Sequence, residues 1–189
     1  RVTDLSLTDF LETTNMTRNA STPAIVACLS GATVIVVGDT MLDRFVDGVV
    51  DRISPEAPIP VFTVRRETSM LGASGNVLRN LVALGGMAHL MTALGDDDAG
   101  GEIRNLIAEE AQTDAGVHGV PGRRTSIKTR YVASGQQMMR ADRETVEEIP
   151  LDFQDRIVAQ VEAEMPNAGA LLLSDYGKGV LSDALLRRL

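Results

Sequence analysis

The sequence predicts an α/β fold with a mostly parallel sheet. Short apolar runs that end in glycine or aspartate alternate with amphipathic stretches, which is typical of strand–helix–strand units. Two β-prone stretches, residues 45–66 and 125–143, interrupt this alternation and leave the main sheet. A chain of 189 residues with 44% hydrophobic content is long enough for one domain with a sizeable core.

The first strand carries the two carboxylates around which we expect a site to form. The run VIVVGDTMLD at residues 34–43 opens with four β-branched residues, which favours a buried parallel strand. Small ligands bind beyond the carboxyl ends of such strands. Asp39 stands at that end, and Asp43 is near enough to face the same cavity.

The stretch at residues 45–66 is predicted to be a β excursion from the main sheet. Its centre, SPEAPIP at residues 54–60, holds three prolines, which exclude a helix and a central strand. A flap over the site and an ordinary surface hairpin explain this stretch equally well.

A loop rich in glycine and serine precedes the first predicted helix. The loop, GASGN at residues 72–76, leads into a helix at residues 77–84, and Gly85 is the expected stop. The N–H groups at such a helix start favour hydroxyl and anionic ligands. The glycine spacing matches neither the Rossmann nor the P-loop pattern.

Three consecutive acids follow a strand predicted at residues 88–94. Asp96, Asp97 and Asp98 are compatible with a metal site. A helix start is favoured instead, with Asp98 capping a helix over residues 99–111.

The second β excursion, residues 125–143, is basic within an acidic protein. Ser134-Gly135 is the expected turn between strands at residues 126–133 and 136–141. If this arm covers the site, its cations can hold a phosphate, and a solvated strand edge is the alternative. The cations in and just before the arm are Arg123, Arg124, Lys128, Arg130, Arg140 and Arg143.

A second strand end supplies a further polar cluster. A helix at residues 152–164 leads to a buried strand at residues 170–173 and then to SDYGKG at residues 174–179. By the rule applied to Asp39, this cluster and its Lys178 point to the same crevice. A last helix is predicted from residue 181, with Ser182 as its cap.

Composition argues against several classes of partner. The net charge of −8 argues against a general nucleic-acid or anionic-membrane binder. No apolar run approaches the roughly 20 residues of a membrane span. Residues 1–30 are predicted to be a polar N-terminal extension, and the single Cys28 fits a reducing cytosol.

Five motifs of the sequence occur together: VVGDTMLDRF (36–45), DRISPEAPIPVF (51–62), GASGNVLRNLVALGG (72–86), GQQMMRAD (135–142) and LLLSDYGKGVL (171–181). They closely resemble those of the ribokinase-like (PfkB) sugar kinases, and within them the bacterial D-glycero-β-D-manno-heptose 7-phosphate kinases. The resemblance runs in register from about Gly31 to the end, and SPEAPIPV and SDYGKG are specific to the heptose branch. The family's paired glycines at the helix loop appear here as Gly72-Ala73.

This resemblance implies a three-layer α/β/α ribokinase-like fold for residues 31–189, with a protruding β-strand lid formed by residues 45–66 and 125–143. It also implies ATP-dependent, Mg-assisted phosphorylation of the anomeric hydroxyl of heptose 7-phosphate to the 1,7-bisphosphate, which feeds the ADP-heptose of the lipopolysaccharide core. The expected protein is a cytoplasmic homodimer joined through its lids. The implied substrate-binding residues are Asp39, Asp43, Gly72, Asn76, Arg140, Asp142 and Lys178, with the cations as candidates for the 7-phosphate.

Two family motifs are absent from the sequence. They are the Gly-Ala-Gly-Asp loop that supplies the catalytic base and the Asn-x-x-Glu motif associated with Mg and nucleotide. We therefore expect the nucleotide-binding half to lie beyond Leu189, and we assign no catalytic, nucleotide-binding or metal-binding residue here. A non-catalytic sugar-phosphate-binding or dimerisation module and another PfkB-type sugar kinase are the alternatives.

Overall fold

The computed structural model describes residues 30–110 and 115–189. The expectations for residues 1–29, including Cys28, lie outside the described residues. A short 3-10 turn lies at Met165–Asn167. The elements are β1 (Thr33–Gly38), β2 (Thr40–Ile53), β3 (Pro60–Ala73), α1 (Ser74–Ala83), β4 (Met87–Gly95), α2 (Asp98–Glu109), β5 (Ala115–Val120), β6 (Ile127–Ala133), β7 (Gln136–Arg143), α3 (Leu151–Glu164), β8 (Ala170–Ser174) and α4 (Asp183–Leu186).

The main sheet has four parallel strands in the order β5-β4-β1-β8. Alternate side chains of β1 point to opposite faces, because a strand has a period of two residues. Ile35 and Val37 pack with residues of α3, whereas Val34 and Val36 pack with residues of α1 and α2. The predicted α/β/α architecture is therefore confirmed.

Both β excursions form a second sheet, the lid, with the strand order β3-β2-β6-β7. β2 and β3 are antiparallel, as are β6 and β7, while β2 and β6 run parallel. Ser134 and Gly135 have φ values of 52° and 75°, as a tight hairpin turn requires. The lid is longer than predicted, because β2 begins at Thr40 and β3 ends at Ala73.

The two faces of the lid differ in character. Leu42, Leu71 and Ile127 belong to the core cluster that contains residues of α1 and α2, so this is the helix-side face. On the opposite face, Asp43, Lys128 and Asp142 are successive cross-strand neighbours in one row. The next row on the same face contains Phe45, Arg130 and Arg140. We call these two rows the charged face.

Three local predictions differ from the structure. Asp97, not Asp98, caps α2, because its side chain accepts the N–H of Gly100. Strand β5 was not predicted. Ser182 caps α4 as predicted, through the N–H of Leu185, but this helix has only four residues. Among the described helices, none combines the length and the apolar character that crossing a membrane requires.

Candidate sugar-binding site

Asp39 lies where the chain passes from the main sheet into the lid. It separates β1 from β2, and the residue is 1% exposed. Asp39 Oδ2 accepts the backbone N–H groups of Tyr176 (2.8 Å) and Lys178 (3.0 Å), and Oδ1 accepts that of Val180 (3.1 Å). The two strand ends predicted to share one crevice are therefore directly bonded to each other.

Asp43 and Gly72 are also brought together, on β2 and β3. A methyl group added to Gly72 would lie 2.6 Å from Asp43 Oδ2, so only glycine leaves this carboxylate in place. Arg130 Nη1 donates to Asp43 Oδ1 at 2.6 Å, and the Arg130 guanidinium lies 5.2 Å from the centre of the Phe45 ring. Asp43 is thus a partly buried carboxylate with one oxygen held by an arginine.

The remaining predicted residues lie around the lid and the helix start. Arg140 Nε donates to Asp142 Oδ1 at 3.0 Å on the charged face. Lys178 Nζ lies 2.8 Å from Glu144 Oε2, just after the end of β7. Asn76 is exposed in the first turn of α1. Contact of these groups with a sugar stays a prediction.

Arg123 is a member of the site region that the sequence did not single out. Its guanidinium donates to the carbonyl of Glu147 at 2.8 Å and to the carbonyl of Lys178. Burial lowers the pKa of Arg123, while the charges of Asp39 and Glu147 oppose that shift. In the sequence Arg123 is one of several cations in or beside the basic arm. Only the folded chain brings it next to Lys178.

The chain also matches a known family of carbohydrate kinases. The model of the pfkB family of carbohydrate kinases matches residues 32–188, which is most of the chain. This chain belongs to the pfkB family.

The curated relatives of this pfkB-family chain include bifunctional proteins named HldE. It is 52% identical over 163 residues to the bifunctional protein HldE of Rhodospirillum rubrum, covering 85% of the chain and 33% of that protein. It is 50% identical over 157 residues to HldE of Paramagnetospirillum magneticum, covering 83% of the chain and 32% of the relative. The chain thus spans about one third of the length of these curated relatives.

A solved structure supports the fold. The phosphofructokinase-2 of Escherichia coli in complex with fructose-6-phosphate superposes with a TM-score of 0.60 at 20% identity, covering 82% of this chain and 49% of that one. At this identity the comparison supports the fold alone.

The pfkB resemblance implies ATP and Mg, and the described residues provide a test for the metal. Residues 30–110 and 115–189 contain no group of three His, Cys, Asp or Glu side chains placed to hold a metal ion. Asp96, Asp97 and Asp98 form no such group, because Asp97 caps α2. We therefore assign no metal ligand among the described residues and derive no step through Mg.

Proposed function

We propose that this chain supplies the acceptor site of an ATP-dependent kinase that phosphorylates the anomeric hydroxyl of D-glycero-β-D-manno-heptose 7-phosphate. The product would be the 1,7-bisphosphate used for ADP-heptose. Support comes from the family match, from the resemblance of SPEAPIPV and SDYGKG to the heptose branch, and from the HldE relatives.

The charged face of the lid is the observation that carries the proposal. Carboxylates accept hydrogen bonds from sugar hydroxyls, whereas arginine and lysine donate to phosphate oxygens. The two rows bring carboxylates and cations within a few ångströms of each other, as recognition of a phosphorylated sugar requires. In this proposal the substrate-facing residues are Asp43, Gly72, Asn76, Arg140, Asp142 and Lys178. Asp39 accepts a hydrogen bond from the backbone N–H of Lys178.

In phosphoryl transfer, these residues would position the acceptor. Holding the sugar by several hydroxyls and its distal phosphate fixes the anomeric oxygen for attack, which lowers the entropic part of the barrier. ATP is the proposed phosphoryl donor and Mg its proposed counter-ion, and neither is assigned to a residue of this chain. The base and the nucleotide site would come from outside this chain.

Binding measurements test the proposal. Isothermal titration of heptose 7-phosphate is run with the 189-residue chain and with a form extended to the length of its relatives. We expect the unphosphorylated heptose to bind at least about tenfold more weakly, because it lacks the charge-assisted hydrogen bonds of the phosphate. Fructose 6-phosphate distinguishes another PfkB-type kinase: if it binds more tightly than heptose 7-phosphate, the proposed substrate is wrong.

The extended form separates a kinase from a non-catalytic module. With ATP and Mg, a kinase converts heptose 7-phosphate to the bisphosphate, detected by mass spectrometry. Tight binding without turnover in the extended form would favour the module and contradict the proposed reaction.

We also propose that two copies associate through their lids. Several large apolar side chains of the lid strands and of the loop between β2 and β3 are exposed: Ile53, Ile59, Val64, Met138 and Met139 are 49–64% exposed. The resemblance implies association through the lids, which would cover side chains of this kind. Analytical ultracentrifugation should show a dimer that Val64→Asp and Met139→Asp dissociate, and a monomeric parent protein would contradict this.

A further inference from the structure

A buried carboxylate and a half-buried guanidinium hold the loop that carries Lys178. The segment Asp175–Val180, here the lysine loop, follows β8, and the segment Glu144–Ile149, here the return segment, follows β7. Asp39 and Arg123, from two other parts of the chain, form hydrogen bonds with these segments. The two segments also bond directly to each other.

The first anchor is Asp39. Three N–H groups of the lysine loop, those of Tyr176, Lys178 and Val180, donate to its two oxygens. The cavity next to the Asp39 carboxylate has a volume of about 10 Å³, which is room for one water molecule at most, so a sugar does not reach this carboxylate. The Asp39 carboxylate therefore binds the protein's own backbone.

The second anchor is Arg123. Its guanidinium donates to the carbonyl of Lys178 in the lysine loop and to that of Glu147 in the return segment. A planar guanidinium with several donors can join two acceptors in a fixed geometry, which a lysine ammonium does not reproduce. Arg123 thus holds the two segments at one spacing.

Direct contacts between the two segments complete the unit. The N–H of Ile149 donates to the carbonyl of Gly179 at 3.0 Å. Gly179 has a φ of 83°, and a side chain there would collide with the carbonyl of Glu147. The Lys178 ammonium pairs with Glu144. The lysine loop is therefore bound to the return segment, which follows the last strand of the lid.

From this arrangement we infer that Asp39 and Arg123 are positioning residues, which set the place of Lys178 and couple it to the lid. The inference rests on the proposed function for the role of Lys178 as a substrate-facing cation. Without the two anchors the lysine loop loses its three bonds to Asp39 and the bridge through Arg123 to the return segment. Binding would then include the entropic cost of ordering the loop, so the sugar phosphate binds more weakly.

Hydrogen exchange and titration test this inference on the full chain. The variants are Asp39→Asn, Arg123→Met and Arg123→Lys, and the control is Arg187→Met, which removes an exposed cation outside the proposed site. In Asp39→Asn and Arg123→Met we expect the amides of Tyr176, Lys178 and Val180 to exchange at least roughly tenfold faster, and the Kd for heptose 7-phosphate to rise roughly tenfold. Arg123→Lys should restore little of the loss, and Arg187→Met should match the parent.

The outcomes separate this inference from the proposed function. Unchanged exchange at these amides in Arg123→Met overturns the inference, as does an equal effect of Arg187→Met. Arg123→Met keeps the test decisive if Asp39→Asn does not fold. Faster exchange in a protein whose parent form does not bind heptose 7-phosphate supports the positioning of the loop and refutes the proposed substrate.

Discussion

Asp43 and Arg130 form an ion pair with 2.6 Å between Oδ1 and Nη1, although 87 positions separate them in sequence. The pair joins β2 of the first excursion to β6 of the second. Because both side chains are only about one fifth exposed, at 21% and 23%, solvent screens their attraction weakly. The arginine therefore both holds the lid strands together and orients the carboxylate predicted to bind sugar hydroxyls.

Removing Arg130 should destabilise the lid. In Arg130→Met, Asp43 keeps its charge in a partly buried place without its partner, so we expect the free energy of unfolding to fall by about 1–3 kcal/mol. Urea denaturation measures this. The matched control is Arg66→Met, which breaks the more exposed Arg66–Asp47 pair on the same sheet and should cost about 0.5 kcal/mol or less. Equal losses of unfolding free energy in Arg130→Met and Arg66→Met would contradict the larger stabilisation that we assign to the Asp43–Arg130 pair.

Gly72→Ala should displace the Asp43 carboxylate. The added methyl group would lie 2.6 Å from Asp43 Oδ2 and 2.9 Å from Met41 Cγ, so one of them has to move, at about 1–3 kcal/mol. We expect a lower melting temperature and weaker binding of heptose 7-phosphate. Gly101→Ala is the control, because a methyl group there meets nothing within 4 Å on α2, and it should stabilise by about 0.5–1 kcal/mol. A Gly72→Ala variant as stable as its parent would refute this packing.

Asp97 should make stability depend on acid pH. Burial raises its pKa, but hydrogen bonds from Thr125 and Gly100 and the charge of Arg143 outweigh this, and the net pKa is below the ordinary 3.8. A carboxyl with a lowered folded-state pKa stabilises the fold above its unfolded-state pKa, and this contribution disappears as the pH falls through the lower folded-state value.

The variant Asp97→Asn tests this pH dependence. At pH 7 it should unfold more easily than the parent by about 1 kcal/mol, as expected for a weakened helix cap, and the gap should narrow as the pH falls below about 4. Thermal melts across this range measure the gap. Asp98→Asn, an exposed acid in the same turn, should change stability less. A gap that is constant with pH would contradict the role of the Asp97 charge.

Sequence patterns predicted the parts of this structure that local chemistry decides. The apolar run after Gly31, the Ser134-Gly135 turn and the Ser182 cap were found because each depends on residues a few positions apart. The convergence of Asp39 on the SDYGKG loop followed from a topological rule for parallel strands, and the hydrogen bonds confirm it.

Long-range pairing explains what the sequence could not predict. The contact of Asp43 with Arg130 depends on the parallel pairing of β2 and β6, and the bonds of Arg123 depend on two segments that meet only after folding. Neither set of contacts produces a pattern among residues that are close together in the sequence. The cap at α2 was assigned one residue too late, because three consecutive aspartates give the same signal and only Asp97 reaches the N–H of Gly100.

Glu144→Gln should strengthen binding of the sugar phosphate if the proposed function holds. Glu144 pairs with Lys178 at 2.8 Å, and its negative charge both occupies this cation and repels an anionic ligand. We expect the Kd for heptose 7-phosphate to fall about threefold at low salt, and less at high salt because ions screen the repulsion. Glu148→Gln, an exposed acid on the same segment, is the control. Weaker binding by Glu144→Gln would show that the pair positions Lys178 and does not compete with the ligand.

Ala73→Gly should stabilise the protein. Ala73 joins β3 to α1 with φ 54° and ψ −124°, a conformation that suits glycine and strains any residue with a Cβ atom. The strain is of order 1–3 kcal/mol, whereas the greater freedom of glycine in the unfolded chain costs about 1 kcal/mol or less, so a net gain of about 0.5–2 kcal/mol is expected. Differential scanning calorimetry of Ala73→Gly measures it, with Ala83→Gly at the end of α1 as a destabilising control in ordinary helical backbone. A lower melting temperature in Ala73→Gly would mean that the methyl group of Ala73, a buried residue, stabilises the core by more than the backbone strain costs.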